Sequence, residues 1–189
     1  MLSDSKIKYA VSHNSNGGLW WNISLNEDLT MDFVREHANY INWFALSKNE
    51  VFNVTEDFVD EFKDKIHWNN FTRYSKSMNE KMARKFKDYI NWDTISFQKY
   101  LSDDFIEEFA HRINWKVLWK YRKVDENFLR KFNNYIIWEV VCYQQTLSPT
   151  FVKENEDKVD WIALAANHRL GYYYRKKYRE RAIQLRNDE

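Results

Sequence analysis

Glycine, proline and cysteine are nearly absent from this chain of 189 residues, which has three Gly, one Pro and one Cys. No glycine lies between Gly18 and Gly171. Glycine lets backbone turn sharply or approach a phosphate closely, so the body of the chain has no room for a phosphate-cradling loop, a dinucleotide fingerprint or a nucleophile elbow. The same scarcity argues against an all-β fold, whose tight turns need Gly, Asn-Gly or Pro. The single Cys142 cannot form an intrachain disulfide, and the five histidines show no His-x3-His spacing, so no metal site is expected. No run approaches the roughly 18 apolar residues that span a bilayer. Residues 1–15 lack the apolar stretch of a secretory signal. The expectation is a non-enzymatic intracellular protein, with no cofactor, no metal and no membrane partner.

Aromatic residues, by contrast, are abundant at 18%, including nine Trp. Charge is balanced overall, with 29 Lys+Arg against 28 Asp+Glu, but it is unevenly placed. Residues 168–189 hold 7 basic and 3 acidic side chains, which leaves 22 basic and 25 acidic in residues 1–167. A nearly neutral body therefore carries a basic tail.

The tryptophans reveal a repeat. Trp20, Trp43, Trp68, Trp92, Trp115, Trp138 and Trp161 follow one another at intervals of 23, 25, 24, 23, 23 and 23 residues. Two residues before each Trp from Trp43 onward stand Ile41, Ile66, Ile90, Ile113, Ile136 and Val159; ten before stand Phe33, Phe58, Met82, Phe105, Phe128 and Phe151. Thirteen before lie Thr30, Thr55, Asn79, Ser102, Asp125 and Ser148, all of which can cap a helix start. Apolar residues flank each cap at the spacing of a hydrophobic staple, as in Leu101 and Ile106. Pro149 falls at a first helical position, where its missing N–H matters least. A second start signal precedes the Trp at Asn42, Asn91, Asn114 and Asp160, with His67 and Ile137 as departures.

Each unit thus reads as two helices of roughly 8–10 residues, too short to stand alone in water. Helix A carries the Phe and helix B the Trp, and stacking must supply the stability. The fold class expected is all-α: an α-solenoid of about six 23-residue helix–turn–helix repeats with a C-terminal capping helix. The expected layout is an N-terminal segment at 1–19, partly flexible around residues 12–18, the repeat array at 20–170 and a basic helix at 171–189. Gly171 is read as the terminator of the last repeat helix. His37 and Asn155 replace the Phe of slot Phe62–Phe132 in the end units, as uncovered faces would require. Insertions near Lys48–Asn53 and Arg73–Ser77 should only lengthen connections.

The segments Leu101 to Trp115 and Ile90 to Gln98 resemble short Trp-containing helical repeats of tailed bacteriophages and large DNA viruses. The resemblance extends over residues 20 to about 167. It implies a viral protein acting as a helical interaction scaffold, engaging or inhibiting a host factor such as a defence component in the host-cell cytoplasm. It transfers no catalytic residue, because the repeated positions are caps and core. Trp119, where the pattern has a small Ser, and Ile137, where it has Asn, depart from it.

Two features are candidates for binding a host protein. The ends of the B helices bring Arg73, Tyr74, Lys99, Tyr100, Lys120, Tyr121, Arg122 and Tyr143 toward one edge, and Tyr and Arg favour interface hot spots. Cations at helix C-termini also satisfy the helix dipole without any partner. The tail presents Arg175, Lys176, Lys177 and Arg179 beside an apolar stripe of Tyr174, Tyr178, Ala182 and Leu185. That stripe fits a cap alone, or a cap that also holds an acidic partner, and nucleic acid is the alternative ligand.

Overall fold

The computed structural model describes residues 4–13, 17–26 and 28–187. The fold is all-α, a repeat solenoid of short paired helices, with no strand among the described residues. Two compact units divide it, Met1–Glu108 and Phe109–Glu189. The first holds α1 (Asp4–Ser12), α2 (Gly17–Asn26), α3 (Met31–Glu36), α4 (Trp43–Leu46), α5 (Glu56–Glu61), α6 (Trp68–Tyr74), α7 (Glu80–Lys85), α8 (Trp92–Ser96) and α9 (Asp103–Glu108). The second holds α10 (Trp115–Tyr121), α11 (Glu126–Lys131), α12 (Trp138–Gln144), α13 (Pro149–Glu154), α14 (Trp161–Ala166) and α15 (Tyr172–Asn187). In the first, helix B packs on helix B as α2 on α4 and α6 on α8. In the second the stack runs α10, α12, α14, and α15 closes it against α14.

Every expected A-helix cap is made. The side-chain oxygens of Thr30, Thr55, Asn79, Ser102, Asp125 and Ser148 each accept the N–H three residues on, at 2.8–3.3 Å. Asn42, Asn91, Asn114 and Asp160 cap the B helices in the same way. His67 also serves, its Nδ1 accepting from Asn70 at 3.4 Å, whereas Ile137 gives no side-chain cap.

The helices are shorter than the sequence spacing suggests: the A helices have six residues and the B helices after α2 four to seven. The aromatic residues that extend the A-helix periodicity, Phe62, Phe86 and Phe132, leave helical geometry with φ near −110° and ψ of 18–33°. The tryptophan supports this early ending. Indole Nε1 donates to the carbonyl five residues earlier, from Trp43 to Ala38 (3.1 Å), Trp68 to Lys63 (2.9 Å), Trp92 to Lys87 (2.9 Å) and Trp115 to Ala110 (2.8 Å). Carbonyls past a helix end lack intrahelical partners, so the indole does here what a glycine-based cap does elsewhere, and the chain folds almost without glycine.

Each Trp also faces a ring of the following A helix, as Trp43 on Phe62, Trp68 on Phe86 and Trp115 on Phe132 at 4.8–5.4 Å. At the C-terminal end Tyr178 of α15 takes that place against Trp161 at 5.9 Å and is itself buried.

Three details correct the sequence reading. Gly171 does not terminate a helix in a left-handed turn, since no described glycine has positive φ; it sits just before α15, where its carbonyl accepts from Arg175 N. His37 is not on an uncovered face: it lies edge-on to Trp20 and Phe33 at 5.9 and 4.4 Å. The insertion at Lys48–Asn53 does more than lengthen a loop. Buried Asn49 donates to Ser24 O and accepts from Val51 and Phe52 N, and Phe52 enters the core against Phe58.

At the N-terminus, Asp4–Ser12 forms a helix that the sequence pattern had not marked, and Trp20 Nε1 donates to the carbonyl of its buried Ala10. Of the stretch 12–18, residues 14–16 lie outside the described residues, while Gly17 and Gly18 open α2.

A further regularity crosses the repeats. Arg35, Arg84 and Arg130 each stand five residues after a cap and reach the next unit's A helix. They pair with Glu61, Glu108 and Glu154 at 2.7–2.8 Å. The same guanidinium groups lie 5.0–5.4 Å over Phe58, Phe105 and Phe151.

Candidate functional site

A B helix has its Trp and the residues three and four further along turned into the stack. The positions one and five after the Trp therefore share the opposite face, pointing to solvent. That outer face is polar at Asn69 and Arg73, at Asp93, and at Lys116 and Lys120, all of them exposed. It is apolar at Phe97, five residues after Trp92 and 50% exposed, and at two further places. In the first unit exposed Phe44 stacks on Trp21 at 5.8 Å with Lys48 Nζ 4.6 Å above its ring. In the second unit Ile162 is 63% exposed on α14, with exposed Ala166 one turn on.

Ile162 stands between two open grooves. One runs across α10, α12 and α14 and is lined by Lys120, Glu139, Val140, Tyr143, Gln144, Asp160, Ile162 and Ala166. The other lies between α14 and α15, lined by Ile162, Ala165, Ala166, Arg179, Ala182, Ile183 and Arg186. Ile183 is 55% exposed. The surface is thus an apolar strip with basic ends and two carboxylates along one margin. Asp160 is already engaged as the cap of α14.

The sequence-expected residues distribute as follows. Lys120 and Tyr143 share the first groove, and Tyr143 also meets His168 edge-on at 6.2 Å. Tyr121 is exposed with Lys120 Nζ 5.1 Å from its ring. Arg122 is half-buried, its guanidinium 5.2 Å over Phe128. In the first unit Arg73 is exposed and lies over half-buried Tyr74 at 5.5 Å. Lys99 and Tyr100 are exposed, yet desolvation, with Glu80 adding to it, pushes the Tyr100 phenol up to about 12. On α15, Lys176, Lys177 and Arg179 are exposed, whereas Arg175 is half-buried with its Nε shielded and unpartnered. Val140, Ile162, Ala166 and Ile183 escaped the sequence reading. Their signal was an aliphatic residue at Trp-plus-one in the last repeat, a slot where Asn69, Asp93, Lys116 and Glu139 are polar.

Reactive chemistry is sparse. Among the described residues no group of three or more His, Cys, Asp or Glu could hold a metal ion. Burial pushes the Cys142 thiol up to about 12, which leaves almost no thiolate, the nucleophilic form, near neutrality. The adjacent carboxylates Glu56 and Asp57, and Asp103 and Asp104, sit in the first turns of α5 and α9, where the helix dipole favours them. No helix among the described residues is long and apolar enough to cross a membrane. Compared with known family models, curated proteins and solved structures, the chain matches none.

Proposed function

We propose that the chain is a non-enzymatic protein-binding scaffold. The observation that carries this reading is the apolar strip around Ile162, on the outer face of the B-helix layer, in a slot where Asn69, Asp93, Lys116 and Glu139 of earlier repeats are polar. A stable repeat array has no need of an exposed isoleucine at 63%, and contiguous exposed apolar surface marks interaction sites. The resemblance of the repeat to those of tailed bacteriophages and large DNA viruses supplies a setting: a viral protein in the cytoplasm of its host, engaging or inhibiting a host factor such as a defence component.

Photo-crosslinking inside bacterial host cells tests it, with benzoylphenylalanine placed at Tyr143 or Asn127. A discrete protein adduct from position 143 and none from 127 is the expected result. Equal adducts from both positions, or none from 143, would overturn the reading.

A second reading has its own observation. Tyr172 and Tyr173 are 75% and 70% exposed beside Lys176 and Lys177, and tyrosines among cations form stacking platforms for single-stranded nucleic acid. It requires affinity for a labelled oligonucleotide that falls steeply with salt and is lost on Tyr172→Ala with Tyr173→Ala.

A further inference from the structure

We propose that the strip across α12, α14 and α15 docks an amphipathic α-helix of a protein partner that carries acidic residues beyond both ends of its apolar face. This rests on the scaffold reading and specifies its partner. Neighbouring helices pack about 8–10 Å apart, so the two spacings from α12 to α15 cover roughly 16–20 Å, three to four turns of a helix rising about 5.4 Å per turn. Ile162 is the ridge between two grooves. Apolar anchors at i, i+3 or i+4 and i+7 of the incoming helix straddle such a ridge.

Charge decides the ends. Lys120 closes the strip on one side, and Arg179 and Arg186 close it on the other. None of the three forms an ion pair with another of the described residues. Glu139 and Asp160 lie along one margin of the first groove, which disfavours a phosphate backbone or an anionic lipid surface lying over the centre. A second copy of the chain does not complement the strip. Among the described helices only α15 reaches 16 residues, and it is rich in Arg and Lys rather than acidic.

The test uses the full chain against a displayed library of random 18-residue peptides, with selected peptides then labelled for anisotropy and circular dichroism. Enriched peptides are expected to carry the helical apolar spacing with Asp or Glu at both ends, and to gain helicity on binding. Ile162→Glu should weaken them about tenfold or more, as loss of a central apolar anchor does. Arg179→Glu with Arg186→Glu should weaken them at low salt and much less at high salt. Position 162 is exposed in the first turn of α14, where an acid suits the helix dipole, so an unchanged melting temperature certifies the fold.

Peptides that are basic or extended, or that bind Ile162→Glu as well as the parent, overturn the inference. If those same peptides are lost on Phe44→Glu, the scaffold reading survives with its surface in the first unit. No enrichment at all, together with tight binding of an oligo-dT probe, overturns both.

Discussion

Replacing Trp68 by Phe isolates the tie between indole and helix end. The ring remains, but the Nε1–H that bonds Lys63 O at 2.9 Å is gone. A net hydrogen bond is worth about 1 kcal/mol, and the Lys63 carbonyl lies in a surface turn where water can replace the donor, so no larger desolvation penalty follows. The smaller ring also gives up on the order of 50 Å² of apolar surface, roughly another 1 kcal/mol. The expected loss is about 2 kcal/mol.

Trp138 is the internal control. It occupies the same slot and faces Phe151 at 6.2 Å, yet its indole donates to no carbonyl among the described residues. Trp138→Phe should therefore cost only the area term, about 1 kcal/mol. Urea unfolding followed by far-ultraviolet circular dichroism measures both, with equal m values as the check that the unfolded states are comparable. Indole hydrogen exchange gives a second reading. Six of the nine tryptophans (Trp20, Trp43, Trp68, Trp92, Trp115 and Trp119) donate in the structure and should exchange slowly. Trp21, Trp138 and Trp161 should exchange fast. Equal losses for the two Phe variants, or a Trp138 indole as protected as that of Trp68, would refute the idea that the indole closes the A helix.

Other expectations follow from the same geometry. Thr55→Ala and Asp125→Ala should each lower stability by about 1 kcal/mol in urea unfolding, because each removes a cap bond. Glu80 is pulled below the ordinary carboxylate range. Desolvation pushes it up, but hydrogen bonds from the Ser102 backbone and hydroxyl and the charge of Arg84 outweigh that. A carboxylate depressed in the folded state contributes stability above its unfolded pKa, about 4.3, and loses it as pH falls through the folded value. Glu80→Gln should accordingly flatten the loss of melting temperature below about pH 4.3. Cys142, with its thiol pushed up to about 12 by burial, should react with a disulfide reagent at pH 8 only as fast as the second unit opens, and at once in denaturant.

The features legible in the sequence are those whose partners lie close along the chain. A cap and the N–H it accepts are three residues apart, so six capping residues in register are enough to place six helix starts. Helix length was misread because Phe62, Phe86 and Phe132 continue the apolar period although their backbone has already left the helix. At Phe62 and Phe86 the ending coincides with a hydrogen bond from a Trp six residues ahead, a side-chain property that hydropathy does not express, whereas Phe132 leaves the helix without one. Trp119 and Ile137 look like two separate lapses but answer each other. In earlier repeats Ser24, Ser47 and Thr72 accept the backbone N–H of Asn42, His67 and Asn91. Trp119, four residues after its repeat Trp, cannot accept. It is fully buried instead and donates its own N–H to Tyr135 O at 2.8 Å, so the link between neighbouring units survives with its direction reversed.

The least legible features depend on a period of two repeats. Aligning single units places Arg35, Arg84 and Arg130 in a column with Asp60, Glu107 and Lys153, which looks like an unconstrained surface position. In space each Arg, besides a carboxylate of its own unit, meets a Glu and a Phe of the following unit, so first, third and fifth units give the cation and second, fourth and sixth receive it. Exposed ion pairs contribute little individually, about 0–1 kcal/mol. Their value lies in discrimination: a neighbour shifted by one repeat would set cation against cation, whereas the buried Trp, Phe and Ile slots are alike in every unit and would accept the slip. The candidate surface follows the same logic. Ile162 breaks a rule that only becomes visible once the outward slot of helix B is known. It does so in the last repeat, where α15 supplies Ile183 and two arginines that no repeat pattern contains. Core packing repeats because every unit must satisfy it, while the proposed docking strip lies where the repetition stops.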